Sequence, residues 1–164
     1  MTIERLNKTH VDLYQALRLQ GLKENPEAFG SSFEEESLMD LDFFKKRLED
    51  KENVTFGVFI EHMLVGILTI RTSERLKTKH NGHLVGMYVD KDHRRQGVGK
   101  LLIKEVISFA RTRGIINIFL TVTSTNKEAI KLYEHMGFEI YGVEKREIYH
   151  NDQYLDSYLM AYYL

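Results

Sequence analysis

Apolar residues recur along this chain with two periods, and the period changes near residue 54. Before that point the spacing is mostly helical. Thr2–Leu6 predicts a short strand. Leu13, Ala16, Leu17 and Gln20 then recur at helical spacing, so a helix is expected from about His10 to Glu24, with Thr9 placed to cap it. Asn25-Pro26 ends it, because the residue before proline disfavours helical backbone. Ser32-Phe33-Glu34-Glu35 has capping-box spacing, and Leu41–Asp50 predicts a second helix with Leu41, Phe44 and Leu48 inward.

From Val54 onward β-branched and aromatic residues dominate. Val54–Ile60 and Leu64–Thr72 predict a hairpin, Ser73–Asn81 a polar loop and Gly82–Val89 a central strand. Gly97–Arg113 predicts a helix whose stripe is Val98, Leu102, Val106, Phe109 and Ala110, stopped by Gly114. Ile115–Val122 is a continuous apolar run, the pattern of a strand covered on both faces. Lys127–Met136 predicts another helix, ended by Gly137. Phe138–Val143, Glu147–His150 and Tyr154–Tyr163 complete the sheet, the last two pairing across Asn151-Asp152-Gln153. The order β-αα-βββ-α-β-α-ββ describes a mixed α/β (α+β) fold: a central sheet of about seven strands with helices on both faces.

Composition narrows the function. A length of 164 residues without repeats or a linker suits a single domain over 1–164. The 23 Lys+Arg against 24 Asp+Glu leave a formal charge of −1, which excludes a broadly basic nucleic-acid or membrane binder. The absence of Cys removes disulfides, thiolate metal sites and a cysteine nucleophile. With no apolar run near the roughly 18 residues of a membrane span and no signal peptide in Met1-Thr2-Ile3-Glu4-Arg5, a cytoplasmic protein is expected. His80 and His83 have H-x-x-H spacing, which is poor metal geometry on a strand edge, so no metal is expected.

The most informative stretch is Val89-Asp90-Lys91-Asp92-His93-Arg94-Arg95-Gln96-Gly97-Val98-Gly99-Lys100. It leaves a strand, turns through two glycines and enters a helix. Unpaired N–H groups and the positive end of the helix dipole make such a turn an anion site. Arg94, Arg95 and Lys100 would oppose that dipole unless an anion sat among them. Two familiar phosphate loops do not fit: the P-loop needs Gly at position 94 and Ser or Thr at 101, and the dinucleotide fingerprint needs a third Gly at Leu102. A tight turn with a solvated basic face remains the plain alternative.

Arg94-x-x-Gly97-x-Gly99 resembles the signature of the GCN5-related N-acetyltransferase (GNAT) superfamily: Gln or Arg, two residues, Gly, one residue, Gly or Ala. Asn126-Lys127-Glu128-Ala129-Ile130-Lys131-Leu132-Tyr133-Glu134-His135-Met136-Gly137-Phe138 resembles the later segment of the same family, Asn-x-x-Ala-x-x-Leu-Tyr-x-x-x-Gly-Phe. Many relatives carry Pro where Lys91 stands. The resemblance implies a mostly antiparallel GNAT-like sheet splayed at strand 82–89, and acetyl-CoA as cosubstrate. The backbone of Met87, Tyr88 and Val89 would pair with the pantetheine arm, and the N–H groups of the turn, about Arg95, Gln96, Gly97, Val98, Gly99 and Lys100 behind Arg94, would hold the pyrophosphate.

The resemblance also places Asn126 against the CoA arm and makes Tyr133 the acid that protonates the departing thiolate. Taken alone, Asn126 reads as a helix cap and Tyr133 as core packing. The implied reaction is direct attack of a neutral amine on the thioester in a ternary complex, with a backbone N–H of the splayed strand stabilising the oxyanion. His83 is the candidate base, directly or through water, because imidazole titrates near neutrality; an exposed strand-end His is the alternative. Glu35 and Glu36 are rival acidic groups, and Glu34, Glu35 and Glu36 together could attract a polycation. Tyr154, Tyr158 and Tyr162 on the last hairpin suit sheet packing or a homodimer contact. The acceptor is expected to be a small-molecule amine. A protein N-terminus or lysine, and a non-catalytic acyl-CoA-binding module, are the alternatives.

Overall fold

The computed structural model describes all of residues 1–164. Its elements are β1 (Thr2–Arg5), α1 (Val11–Glu24), α2 (Phe33–Glu36), α3 (Leu41–Glu49), β2 (Asn53–Ile60), β3 (Met63–Arg71), β4 (Asn81–Val89), α4 (Val98–Thr112), β5 (Asn117–Thr123), α5 (Lys127–His135), β6 (Glu139–His150) and β7 (Gln153–Tyr163). One seven-stranded sheet runs β1-β2-β3-β4-β5-β7-β6, and only the β4–β5 pair is parallel. The expected mixed, mostly antiparallel sheet is therefore present. No helix is long and apolar enough to cross a membrane.

Two apolar layers sandwich the sheet. The larger joins Leu102, Ile103, Val106 and Ala110 of α4, with Ile130 and Tyr133 of α5, to one sheet face. The smaller joins Leu17 and Leu22 of α1 and Phe44 and Leu48 of α3 to the other. Along β3, Ile67 feeds the second layer and Leu68 and Ile70 the first, as strand alternation requires, while Leu64 also reaches the second because the β2–β3 register shifts between Leu64 and Gly66. The β2–β3 hairpin closes through Glu61 and His62, both at positive φ (47° and 71°), the backbone of a two-residue turn that matches strand twist.

Several local expectations are corrected. Asn7, not Thr9, provides the cap at the first helical turn. Its Oδ1 accepts from the Thr9 N–H at 2.9 Å, and the Thr9 hydroxyl is occupied by the same oxygen. The buried face of α1 carries Val11, Tyr14, Arg18, Gly21 and Leu22 with Leu17, while Leu13 is exposed. The face turns because Gly21 lets the helix seat on the Tyr88 ring; a Cβ there would lie 2.8 Å from a ring carbon. Leu41 is likewise outside, at the first turn of α3. The apolar run at β5 is not covered on both faces: Ile118, Leu120 and Val122 are buried, whereas Phe119 and Thr121 face a cleft. The segments at 138–143 and 147–150 are parts of one strand, β6, whose pairing with β7 shifts register between Glu144 and Ile148. Arg146 at φ 57° takes up that bulge.

Candidate active site

Strands β4 and β5 pair only at Asn81↔Asn117, Gly82↔Ile118 and His83↔Phe119. Beyond His83 they part, and the gap opens a cleft of about 650 Å³ between the end of β4, the start of α4 and α5. The splay expected at strand 82–89 is thus a property of the backbone. Gly86 sits at φ +63°, and the β3–β4 pairing shifts register at this point, between Ile67 and Thr69. Such a bulge leaves strand polar groups unpaired and bends the strand. An isolated glycine inside a strand pattern is its sequence signal.

The turn into α4 supplies the cleft's polar end. Arg95 and Gly97 both take left-handed backbone, at φ 59° and 85°. Helical hydrogen bonding begins at Leu101, whose N–H donates to the Gly97 carbonyl at 3.0 Å; the N–H groups from Arg95 to Lys100 find no acceptor in the chain. Gly97 leaves open space where a side chain would stand, with no atom within 4 Å of a notional Cβ. A row of unpaired donors at the positive end of a fifteen-residue helix fits a diphosphate. Gly99 has a different reason: a Cβ would meet Leu132 at 2.8 Å, so the glycine lets α4 and α5 approach.

Arg94 does not project among those donors. Its Nε donates to the Val89 carbonyl at 3.1 Å, its Nη2 to Asn25 Oδ1 at 2.9 Å, and its guanidinium lies over the Tyr88 ring. It braces the end of β4 against the end of α1. Behind it, Asp90 caps the short turn at Lys91–His93, accepts from Gln20 Nε2 at 2.7 Å and pairs with His93 Nδ1 at 2.9 Å. Burial alone would raise the Asp90 carboxyl, but these hydrogen bonds outweigh it and hold it below the usual carboxylate range. Tyr88 points the same way, its hydroxyl donating to Glu24 at 2.6 Å, so only its backbone faces the cleft.

Of the residues expected to hold the cofactor, Met87, Tyr88, Val89, Arg94, Arg95, Gly97, Val98, Gly99, Lys100, Asn126 and Tyr133 line this one cleft. Gln96 does not; its side chain turns back to the Asp92 carbonyl at 3.2 Å. Asn126 caps α5, accepting from the Ala129 N–H at 3.2 Å, and its amide NH2 has no partner in the chain. Capping therefore leaves its donor end available to the cleft. The Tyr133 hydroxyl donates only to Met87 Sδ, at 3.3 Å. A thioether is a weak acceptor that a better one displaces readily. Burial pushes this hydroxyl well above its ordinary pKa, so it keeps its proton at neutral pH.

His83 lies elsewhere, in a second cleft of about 720 Å³ lined by the earlier part of β4 and by Thr69 and Arg71 of β3. The two clefts share Ala28, Phe29, Leu120, Thr121 and the β4 stretch Leu84, Val85 and Gly86, and so meet at the bulge. The imidazole stacks near Phe119, and burial, then the Arg71 guanidinium, lower its pKa. It is three residues from Gly86, about 10 Å along an extended strand. His80 and His83 gather no third metal ligand.

The second cleft also holds residues that the sequence did not single out: Arg18, Arg47, Arg71 and Glu147. Glu147 sits beside the β6 bulge and accepts from the buried Ser157 hydroxyl at 2.7 Å. Glu36 is expected from the sequence as a rival acidic group and part of a cluster that could attract a polycation. It is instead buried, with Arg18 Nη2 at 2.9 Å and the Arg47 guanidinium on its other oxygen. Two cations already occupy it, so it is neither a free base nor bait for a polycation. Only the i, i+4, i+7 spacing of Tyr14, Arg18 and Gly21 hints that a charge enters the core here.

Residues 13–138 match the acetyltransferase (GNAT) family. The L-amino acid N-acetyltransferase AaaT of Escherichia coli is 34% identical over 72% of this chain and 74% of its own length. The ribosomal protein bS18-alanine N-acetyltransferase of Escherichia coli is 33% identical, over 48% of this chain and 53% of its own. The fold is shared with a GNAT acetyltransferase from Streptococcus pneumoniae (TM-score 0.85, 25% identity, covering 99% and 98% of the two chains). It is also shared with the Salmonella typhimurium protein yncA, solved with its cofactor acetyl-CoA (TM-score 0.87, 17% identity, covering 100% and 94%). The glycine turn, the splayed strand pair and these matches lead to one conclusion: the chain belongs to the GNAT family of acetyltransferases.

Proposed function

We propose that the chain is an acetyl-CoA-dependent N-acetyltransferase, a single domain over 1–164 that moves the acetyl group directly to a primary amine on a small molecule. The observation that carries this reading is the pair of clefts meeting at Gly86. One presents the unpaired N–H groups of the α4 turn and the Tyr133 hydroxyl; the other is open to a second reactant. When bound, acetyl-CoA supplies an acetyl group activated as a thioester, whose C–S bond breaks as the acceptor's C–N bond forms.

The chain's residues then have separable tasks. The N–H groups from Arg95 to Lys100 bind the diphosphate, and the backbone of Met87 to Val89, freed from β5, binds the arm that follows. The free NH2 of Asn126 orients that arm. Tyr133 holds a proton at its hydroxyl and gives it to the departing sulfur. The amine's proton leaves toward the second cleft, where neutral His83 receives it through water. With no Cys in the chain, no cysteine acyl-enzyme can form, which favours a ternary complex. The bS18-alanine acetyltransferase relatives support a second reading, with a protein N-terminus as acceptor.

Incubation with acetyl-CoA and a library of amines, followed by mass spectrometry, is expected to yield acetylated products. Tyr133→Phe should lower kcat by about 10- to 1000-fold with little change in cosubstrate affinity. Absence of product from every acceptor points instead to a binding module, and an unchanged rate returns Tyr133 to the core.

A further inference from the structure

The charge of the second cleft says what kind of amine it takes. Arg18 and Arg47 approach the single Glu36 carboxylate from two sides. Arg18 uses Nε and Nη2 for that contact, at 3.0 and 2.9 Å, and its Nη1 has no partner in the chain. The Arg18 side chain is 9% exposed, yet no fully enclosed side-chain nitrogen or oxygen lacks a partner. Nη1 therefore opens onto the cleft that Arg18 lines. It lies 3.3 Å from where a Cβ on Gly86 would stand, against the bulge at which the two clefts meet. Arg71 adds a third guanidinium to the lining, bonded only to Asn53 Oδ1 at 3.3 Å. Glu147 is the one carboxylate in the lining, on β6, with β5 and β7 between it and β4. Glu36 is the one carboxylate that Arg18 and Arg47 contact, so this pair, with side chains 9% and 27% exposed, carries one positive charge more than its counterion, and a partly buried cation without a counterion is costly.

Resting on the acetyltransferase reading, we infer that the acceptor is an amine bearing a carboxylate close to its nitrogen, as in a free α-amino acid, and that Arg18 Nη1 and Arg47 bind that carboxylate. In an α-amino acid one carbon separates the nitrogen from the carboxylate carbon. An anion site serving that group must therefore lie within a few ångströms of the acetyl-transfer point, where Arg18 stands. A peptide N-terminus brings an uncharged amide to the same place. A polyamine brings a second cation, which three arginines repel. Arginine suits the task because its planar fork pairs with carboxylate in two parallel hydrogen bonds.

The test compares acceptors that differ only at this group: an L-amino acid, its C-terminal amide, the matched decarboxylated amine and a tripeptide with the same N-terminal residue. With wild-type protein and acetyl-CoA, the free acid should exceed the amide in kcat/KM by about 10- to 100-fold. Arg47→Gln, at a partly exposed position, should shrink that ratio about tenfold, chiefly through the KM of the acid. The wild-type comparison does not depend on any variant folding. If amide, amine or tripeptide turns over as well as the acid, the carboxylate site is wrong while the acetyltransferase reading stands. If no acceptor is acetylated, both fall.

Discussion

Burial moves the two titratable side chains assigned to proton transfer in opposite directions, and each direction suits its task. For Tyr133 the charged form is the phenolate, so desolvation raises the pKa and leaves a proton to donate. For His83 the charged form is imidazolium, so desolvation and Arg71 lower the pKa and leave a lone pair that can accept. The acidic limb of the pH–rate profile should therefore lie below about 6.5, the ordinary imidazole value. Activity falls along that limb as His83 is protonated. His83→Ala should abolish the limb while leaving acetyl-CoA affinity intact. Persistence of the limb in the variant would move the base to another group of the second cleft, Glu147 first.

The α4 turn is the element to which the proposed function assigns cosubstrate binding. Gly97 holds φ +85° in open space, so a side chain there meets no atom but bears the strain of left-handed backbone, about 1–2 kcal/mol. Gly97→Ala carries that strain alone. Gly97→Glu adds a carboxylate beside the unpaired donors and should weaken CoA binding by a further factor of about 100, as seen by calorimetry, with the thermal transition close to that of Gly97→Ala. Equal affinities for the two variants would remove the turn from the binding site. This element was legible in the sequence because its determinants are contiguous: the strand, two glycines, and the stripe from Val98 to Ala110 follow one another within a few turns of chain. The α1 face was not. Leucines suggested one stripe, but Tyr14 and Arg18 are stable inside only because distant residues meet them, Phe44 packing on the Tyr14 ring and Glu36 pairing with Arg18. The β6 bulge depends on the register of its partner strand, which no local pattern encodes, and the bulge in β4 leaves only one local mark, the isolated Gly86. The second cleft draws its walls from α1, α3, β2, β3, β4, β5, β6 and β7 and so left no linear motif.

At the scale of the whole molecule, one sheet is clad by two layers with different cohesion. The α4 and α5 layer is almost wholly apolar. The α1, α2 and α3 layer is tied through a buried carboxylate: Glu36 on α2 holds Arg18 on α1 and Arg47 on α3, and each guanidinium also lies over an aromatic ring, Phe29 and Phe43 respectively. Removing Glu36 leaves two guanidiniums facing each other with no counterion in a desolvated site. Glu36→Ala should therefore destabilise the fold by about 3–5 kcal/mol. For a chain of this length that lowers the thermal midpoint by about 6–20 °C. Because the tie lies wholly within one layer, hydrogen exchange should quicken first in α1 and α3 while α4 stays protected. A variant as stable as the wild type, or one that loosens α4 equally, would mean that the apolar contacts of Leu17, Leu22, Phe44 and Leu48 hold the layer unaided. The buried charge would then serve the acceptor cleft alone.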